Sequence, residues 1–365
     1  MHVNRTSGSA RISARDLKKR LDEGRPLLLL DVRSPEEFRD WRLPNAVNLP
    51  LPRLLAGEQP LAPPGAEIVT VCLHGARSEK AREALSKAGH RVLSLEGGMV
   101  AWNTVYDVAT IPSGVARVRQ LRRVGKGCMG YVVANGGEAI VIDPTMDIDA
   151  YLEEAERSDA RIVKVLDTHA HADHVSGSRR LAASTGAEYL APEELGSVVR
   201  SHVRDGGMIE VGAARVRVLA SPGHTPGSVT YLLDDLAFTG DTLFVESVGR
   251  PDLGQDPRPN ARVLWRTLHE RIFALPGRTR VLSAHFGESI HLEPGRPISA
   301  TLDELRGRLP ALSMAEPEFE DWVARNALPK PGNFETIKRY NLGLVEVDLE
   351  DLQDLEAGPN RCSVA

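Results

Sequence analysis

Residues Thr168-His169-Ala170-His171-Ala172-Asp173-His174 put three histidines and one aspartate into six consecutive positions, directly after the apolar run 162–167. Imidazole and carboxylate are the donors that zinc and iron take from proteins. Donors one residue apart suit an extended or looped backbone, because helix-borne donors would stand three or four apart. More donors of the same kind recur where short apolar runs end: His224 in Ser221-Pro222-Gly223-His224-Thr225, Asp241 in Thr239-Gly240-Asp241-Thr242, and His285 in Ser283-Ala284-His285. Each follows a small residue, and glycine in particular lets backbone approach a ligand site closely. Any one of these histidines alone reads as well as a surface or core residue; the set together points to a metal centre. His2, His90, His202, His269 and His291 have no such spacing and are read as ordinary side chains.

A second chemical motif lies earlier, at Cys72-Leu73-His74-Gly75-Ala76-Arg77-Ser78. It joins a strand-like run ending near Cys72 to a helical stretch starting near Arg77. A nucleophilic thiol reacts as the thiolate. Inward-pointing backbone N–H groups and a helix N-terminus stabilise that anion, and Arg77 adds positive charge as a substrate-binding candidate. A buried structural cysteine is the plainer reading of Cys72 taken alone. Cys128 reads as buried and Cys362 as a tail thiol.

The elements that must position these residues are short. Runs 26–32, 67–73 and 91–95 read as strands, with a helix over 77–87 that Gly89 stops. Strands alternating with helices imply a parallel sheet covered on both faces. Beyond a linker over 108–118, runs 129–134 and 139–142 flank Asn135-Gly136-Gly137 and read as a hairpin. Strands are expected at 162–167, 216–220, 229–233, 237–239 and 281–283, helices at 147–157 and 262–275, and mainly helix after 299. The resulting division is 10–107, linker 108–118, 119–345, and an acidic C-terminal tail over 346–365, whose last residues are expected to be frayed.

With 365 residues, 42% hydrophobic and 26% charged, two globular domains are the natural division. A formal net charge of −5 argues against nucleic acid or a membrane surface as partner. Met1–Ser9 is polar and unlike a signal peptide, and no run is long enough to span a bilayer. Three cysteines, odd and sparse, fit a reducing cytoplasm.

Both motifs sit in longer resemblances. The stretch 31–38 (Asp-Val-Arg-Ser-Pro-Glu-Glu-Phe), the stretch 43–50, the six-residue loop from Cys72 to Arg77 and Glu96-Gly97-Gly98-Met99-Val100-Ala101-Trp102 resemble the single-domain rhodanese family. That resemblance implies an active sulfurtransferase with Cys72 as catalytic nucleophile. The histidine loop with His224, Asp241 and His285 resembles the metallo-β-lactamase superfamily, which implies an αββα sandwich with a metal site along one edge and a helical C-terminal segment. The fold class is therefore α/β for the first domain and α+β for the second.

Two branches of the superfamily compete. Residues 221–227, 237–241, Gly249-Arg250-Pro251-Asp252 and Leu328-Pro329-Lys330-Pro331 resemble the persulfide dioxygenases. That branch implies one Fe(II) on His169, His224 and Asp241, with His171, Asp173, His174 and His285 as hydrogen-bonding neighbours. Arg250 would bind an anionic thiol substrate or prop the site, the plainer reading being a partner for Asp252 or a solvated surface charge. The glyoxalase II branch would instead use His171, Asp173, His174 and His285 with the others to hold two zinc ions and hydrolyse a thioester. Absence of that branch's lysine- and tyrosine-bearing glutathione segment favours the dioxygenase. The implied substrates are a low-molecular-weight thiol persulfide such as glutathione persulfide, with O2, giving sulfite and thiol, and thiosulfate or sulfite at the rhodanese site. A homodimer is compatible with the sequence.

Overall fold

The computed structural model describes all residues except 1–9, 64, 253–255, 288, 327–329, 331 and 365. The polar N-terminus and most of the Leu328–Pro331 motif therefore lie outside the described residues. The chain forms two compact units: one runs to Val105 and takes in Val124–Lys126 and Ala357–Pro359, and the other holds Tyr106–Arg123, Gly127–Glu356 and the segment from Asn360 on.

In the first unit, five parallel strands order as Arg11–Ile12, Val92–Leu95, Glu67–Val71, Leu27–Asp31 and Val47–Asn48. The central strands Leu27–Asp31 and Glu67–Val71 are buried along nearly their whole length, as a parallel sheet covered on both faces requires. Leu17, Leu29, Val69, Val71 and Trp102 pack one face, and Leu28, Leu30, Ile68, Ala81 and Leu85 the other. The helix Ala76–Lys87 covers the second face and starts at Gly75, so the cysteine loop is a strand-to-helix turn at the C-terminal end of the sheet.

The second unit stacks two sheets. A seven-stranded sheet runs Ser201–His202, Glu188–Ala191, Arg161–Leu166, Glu138–Ile142, Cys128–Asn135, Arg117–Arg123 and Tyr106–Ile111. A six-stranded sheet runs Met208–Val211, Ala214–Ala220, Val229–Leu233, Leu236–Gly240, Arg280–Ser283 and Ala300–Thr301. Tyr131, Val133, Ile140 and Ile142 from one meet Val216, Val218, Tyr231 and Phe238 from the other in a single core. The hairpin expected around Asn135-Gly136-Gly137 is present, and Gly136 and Gly137 take φ of 59° and 81°, the left-handed pair that a two-residue turn needs. Helices Asp149–Arg157 and Ser178–Thr185 cover the outer face of the larger sheet. Among the described residues no helix is long and apolar enough to cross a membrane.

Three expectations change. Most of the segment read as a linker is sheet: Tyr106–Ile111 pairs antiparallel with Arg117–Arg123, and only the turn between them, with Pro112 and Gly114, is irregular. The helix over 262–275 begins earlier, as Arg258–Arg266, and loosens into a π-helical turn over Thr267–Ile272. The last described residues are not frayed. Leu349–Leu355 is a helix, and the following segment lies beside 247–250, with Arg250 N donating to Cys362 O at 2.8 Å and Val364 N to Val248 O at 3.0 Å. Those backbone bonds, with Cys362 and Val364 alternately turned inward, hold it in place.

Candidate metal centre and cysteine loop

The metal-donor residues leave the ends of strands in both sheets of the second unit. His169 follows Arg161–Leu166, Asp241 follows Leu236–Gly240, His224 follows Ala214–Ala220, and His285 follows Arg280–Ser283. Gly240 takes φ of 54°, and a Cβ there would stand 2.4 Å from Thr168 Oγ1, so only glycine lets this strand end lie against the histidine loop.

His169, His224 and Asp241 converge, and all three are buried. Asp241 Oδ2 stands 3.6 Å from His169 Nε2 and 3.6 Å from His224 Nε2. That is close to the spacing of donors sharing one ion at about 2.1 Å. The hydrogen bonds behind them choose the free atoms. Thr168 Oγ1 donates to Asp143 Oδ2 at 2.9 Å, and so must accept from His169 Nδ1, also at 2.9 Å. His224 Nδ1 donates to the Arg250 carbonyl at 2.7 Å. Both rings thus present Nε2 as a lone pair. Asp241 Oδ1 accepts from His285 Nδ1 at 2.6 Å, which leaves Oδ2. His169 Nε2 and Asp241 Oδ2 are buried with no hydrogen-bond partner. Buried polar atoms are rarely left so, and these residues fit a cation. Burial, with neighbouring imidazoles, pushes His169 well below its ordinary pKa, and burial lowers His224; both are neutral, as ligands must be.

The remaining donors of the loop take other partners. His171 Nε2 meets Asp143 Oδ1 at 3.2 Å, while its Nδ1 is buried without a partner. Asp173, His174 and His285 gather with Cys128 in an adjoining pocket. Burial works against charge on His285, yet the carboxylates of Asp173 and Asp241 outweigh it and hold the imidazole well above its ordinary pKa. Its Nε2 lies 2.8 Å from Asp173 Oδ2, a charge contact poorly aligned as a hydrogen bond. His285 therefore lies between two carboxylates.

Several contributors were not singled out in the sequence. Asp143, at the end of Glu138–Ile142, also accepts from Thr168 N at 2.7 Å. Asn341 holds the histidine loop by its backbone: its Nδ2 donates to His171 O at 2.9 Å and His174 O at 2.8 Å, and its Oδ1 accepts from Ser176 N at 3.0 Å. Glu356 Oε2 accepts from Val175 N at 2.9 Å and its other oxygen takes buried Arg123. Cys362, read as a tail thiol, is buried among Asp173, Asp241 and His285, and burial keeps it a thiol. The alternation of Cys362 and Val364 with polar neighbours was the one available signal for an inward-facing segment.

Arg250 is not offered to a substrate. Its Nε and Nη2 both meet Asp252 at 2.7 Å and Nη1 meets Arg361 O at 2.9 Å, in a side chain 3% exposed. Its carbonyl accepts from His224 Nδ1.

In the first unit, Cys72 Sγ accepts from Gly75 N at 3.2 Å and Ser78 N at 3.3 Å, with Ser78 Oγ at 3.5 Å. The loop is thus a small anion cradle at a helix start. Gly98 makes room for it: a Cβ there would stand 2.2 Å from Cys72 O, and Met99 N donates to that carbonyl at 2.9 Å. Arg77 does not turn its charge to the thiol alone. Its Nη1 and Nη2 bind Glu37 Oε2 and Oε1 at 2.8 and 2.6 Å.

Residues 13–104 match the rhodanese-like domain family, and residues 125–285 match the metallo-beta-lactamase superfamily. Persulfide dioxygenase ETHE1, mitochondrial, of Bos taurus is 36% identical over 205 residues, covering 53% of this chain and 74% of its own length. The human protein of the same name is 36% identical over 200 residues, with the same coverage of 53% and 74%. A hydroxyacylglutathione hydrolase of Maricaulis maris is 36% identical over 156 residues, covering 41% of this chain and 58% of its own. The crystal structure of ETHE1 from Myxococcus xanthus superposes with a TM-score of 0.57 at 30% identity, covering 62% of this chain and 99% of that one. With its donor set and this coverage, the chain belongs to the persulfide dioxygenase family of the metallo-β-lactamase superfamily and carries a rhodanese-like domain ahead of that fold.

Proposed function

We propose that the second unit oxidises a low-molecular-weight thiol persulfide, such as glutathione persulfide, by RSSH + O2 + H2O → RSH + SO3²⁻ + 2H⁺. The first unit, on the same reading, moves sulfane sulfur through a persulfide on Cys72. The observation that carries the first part is the donor set itself. His169, His224 and Asp241 face one point, while His171 Nε2 meets Asp143 and His285 Nε2 meets Asp173. Two imidazoles and one carboxylate on one side of an ion leave positions open, as Fe(II) oxygenases require. Ferrous iron held there supplies the one-electron chemistry by which dioxygen reacts with a closed-shell sulfur compound. The similarity to persulfide dioxygenases of two mammals supports the same choice.

The chain's own groups define what surrounds that chemistry. Thr168 and the Arg250 carbonyl fix the Nδ1 protons of the two imidazoles. His285 Nδ1 holds one oxygen of Asp241 so that the other stays directed inward. Cys362 adds a thiol to the wall. The three free cysteines support a reducing compartment such as the cytoplasm.

The test is oxygen uptake by protein loaded anaerobically with iron, offered glutathione persulfide, other persulfides and a thioester. Persulfide-dependent uptake with sulfite formed in equal amount supports the reading. Brisk thioester cleavage by a zinc-loaded protein that ignores persulfides contradicts it, in favour of a dinuclear hydrolase.

A further inference from the structure

Two ion pairs flank the Cys72 loop. Asp31 and Arg33 are buried and joined, with Nη2 to Oδ2 at 2.6 Å. Glu37 and Arg77 form the bidentate pair described above. Both guanidinium groups are met by carboxylates, and the sulfur itself is held by backbone N–H groups. Glu37 is firmly placed. It sits three residues after Ser34, whose backbone N–H donates to Glu37 Oε2 at 3.0 Å while the Ser34 hydroxyl accepts from Glu37 N at 3.2 Å, a complete capping box on the helix Pro35–Asp40. Its carboxyl is held down to about 2, chiefly by the Arg77 hydrogen bonds, so it stays ionised wherever the protein works. His74, exposed, is the loop's other basic side chain.

Sulfane-sulfur donors differ in the charge they leave behind. From thiosulfate, Cys72–S⁻ + S–SO3²⁻ → Cys72–S–S⁻ + SO3²⁻ breaks the donor S–S bond and expels a dianion. From a persulfide, Cys72–S⁻ + RS–SH → Cys72–S–SH + RS⁻ breaks the corresponding bond and expels a single thiolate. A dianion gathering near a thiolate needs neighbouring cations, and here the arginine is already neutralised. We propose that Glu37 is a specificity-determining residue: by pairing with Arg77 it makes the Cys72 loop take sulfur from thiol persulfides in preference to thiosulfate. The proposal rests on Cys72 being the sulfur-accepting thiol. By microscopic reversibility the same loop is a poor site for making thiosulfate from sulfite.

The experiment measures sulfur transfer to cyanide by the full chain, with cysteine persulfide and with thiosulfate as donors, corrected for the rate of Cys72→Ser. The native protein should show kcat/KM for the persulfide at least about tenfold above that for thiosulfate. Glu37→Gln keeps a capping-box side chain, since glutamine serves at that position. It should raise kcat/KM for thiosulfate about tenfold, mostly through KM, and move the persulfide value less than about twofold. The double variant Glu37→Gln with Arg77→Gln should lose that gain, because the gain comes from the released arginine. Native preference for thiosulfate overturns the proposal, as does a gain that survives in the double variant. The native comparison stands alone if a variant fails to fold. If Cys72→Ser matches the native rate with both donors, the sulfur-transfer reading itself fails, which is a different result.

Discussion

The metal centre and the cysteine loop solve the problem of holding a reactive group in opposite ways. The loop is contiguous: six residues, two backbone N–H groups and one helix start surround a single sulfur. The metal centre is dispersed: His169, His224 and Asp241 come from three loops, Asp143 and Thr168 set one imidazole, Arg250 the other, and Asn341 and Glu356 reach in from near the C-terminus. A contiguous site can be read from its motif, yet its charge depends on a distant partner, here Glu37. A dispersed site can be read from its donor types, while the groups that orient the donors leave little trace in sequence.

The largest expected effect separates the two regions. His224→Ala removes one of three inward-facing donors and should bring persulfide-dependent oxygen uptake to background, while sulfur transfer through Cys72 stays within about twofold, because the two sites share no residue and independent sites behave additively. Cys72→Ser should do the reverse. An oxygen electrode and a sulfurtransfer assay on each variant check this; loss of both activities in either folded variant would break the division into two sites.

A smaller effect is expected one step behind the donors. Thr168→Val removes the hydroxyl that fixes the His169 tautomer, and should weaken iron binding about 10–100-fold, the usual cost of losing such a partner. Thr168→Ser should restore it. Equilibrium dialysis measures the affinity, and equal losses in both variants would show that packing, not the hydroxyl, matters.

Asn341→Ala tests how far the dispersed site depends on its C-terminal clamp. It strips partners from three backbone groups of the histidine loop, each costing about 1–3 kcal/mol if left buried. The melting temperature should fall by several degrees, and iron affinity with it; an unchanged melt would show that water replaces the amide.

The smallest effect belongs to the first unit. Glu37 has its carboxyl depressed from 4.5 to about 2, mainly by Arg77. A depressed acid contributes stability that is fully present above its unfolded pKa and lost as pH falls through the folded one. Between about pH 4.5 and pH 2 the native protein should therefore lose a component of stability that Glu37→Gln lacks, seen as a flatter acid limb in melts of the variant. The side chain is about one-third exposed, so solvent screening keeps the difference small.

The sequence made the two domains, the central strands of each sheet, the double-glycine hairpin and the gathering of His169, His224 and Asp241 legible, because each rests on local pattern or on rare residue types. It hid what depends on long-range pairing. The segment 108–118 looked like a linker because Pro112 and Gly114 mark its turn, while the edge strand is defined only by its partner Arg117–Arg123. The last residues of the tail looked frayed, yet Cys362 faces the donors, and Glu356, at the end of the acidic run before them, is wholly buried against Arg123. Arg250 read equally well as a partner for Asp252 and as a group for the substrate; the structure pairs it with Asp252 and buries it.

The central claim is that one side of the second unit holds a single iron through His169, His224 and Asp241. Anaerobic dialysis of metal-free protein against ferrous iron and zinc together, followed by metal analysis and oxygen uptake on the same sample, tests it most directly. One tightly held iron per chain, lost in His224→Ala and matched by persulfide-dependent uptake, is the expected result; two zinc ions per chain with no uptake on any persulfide would contradict it.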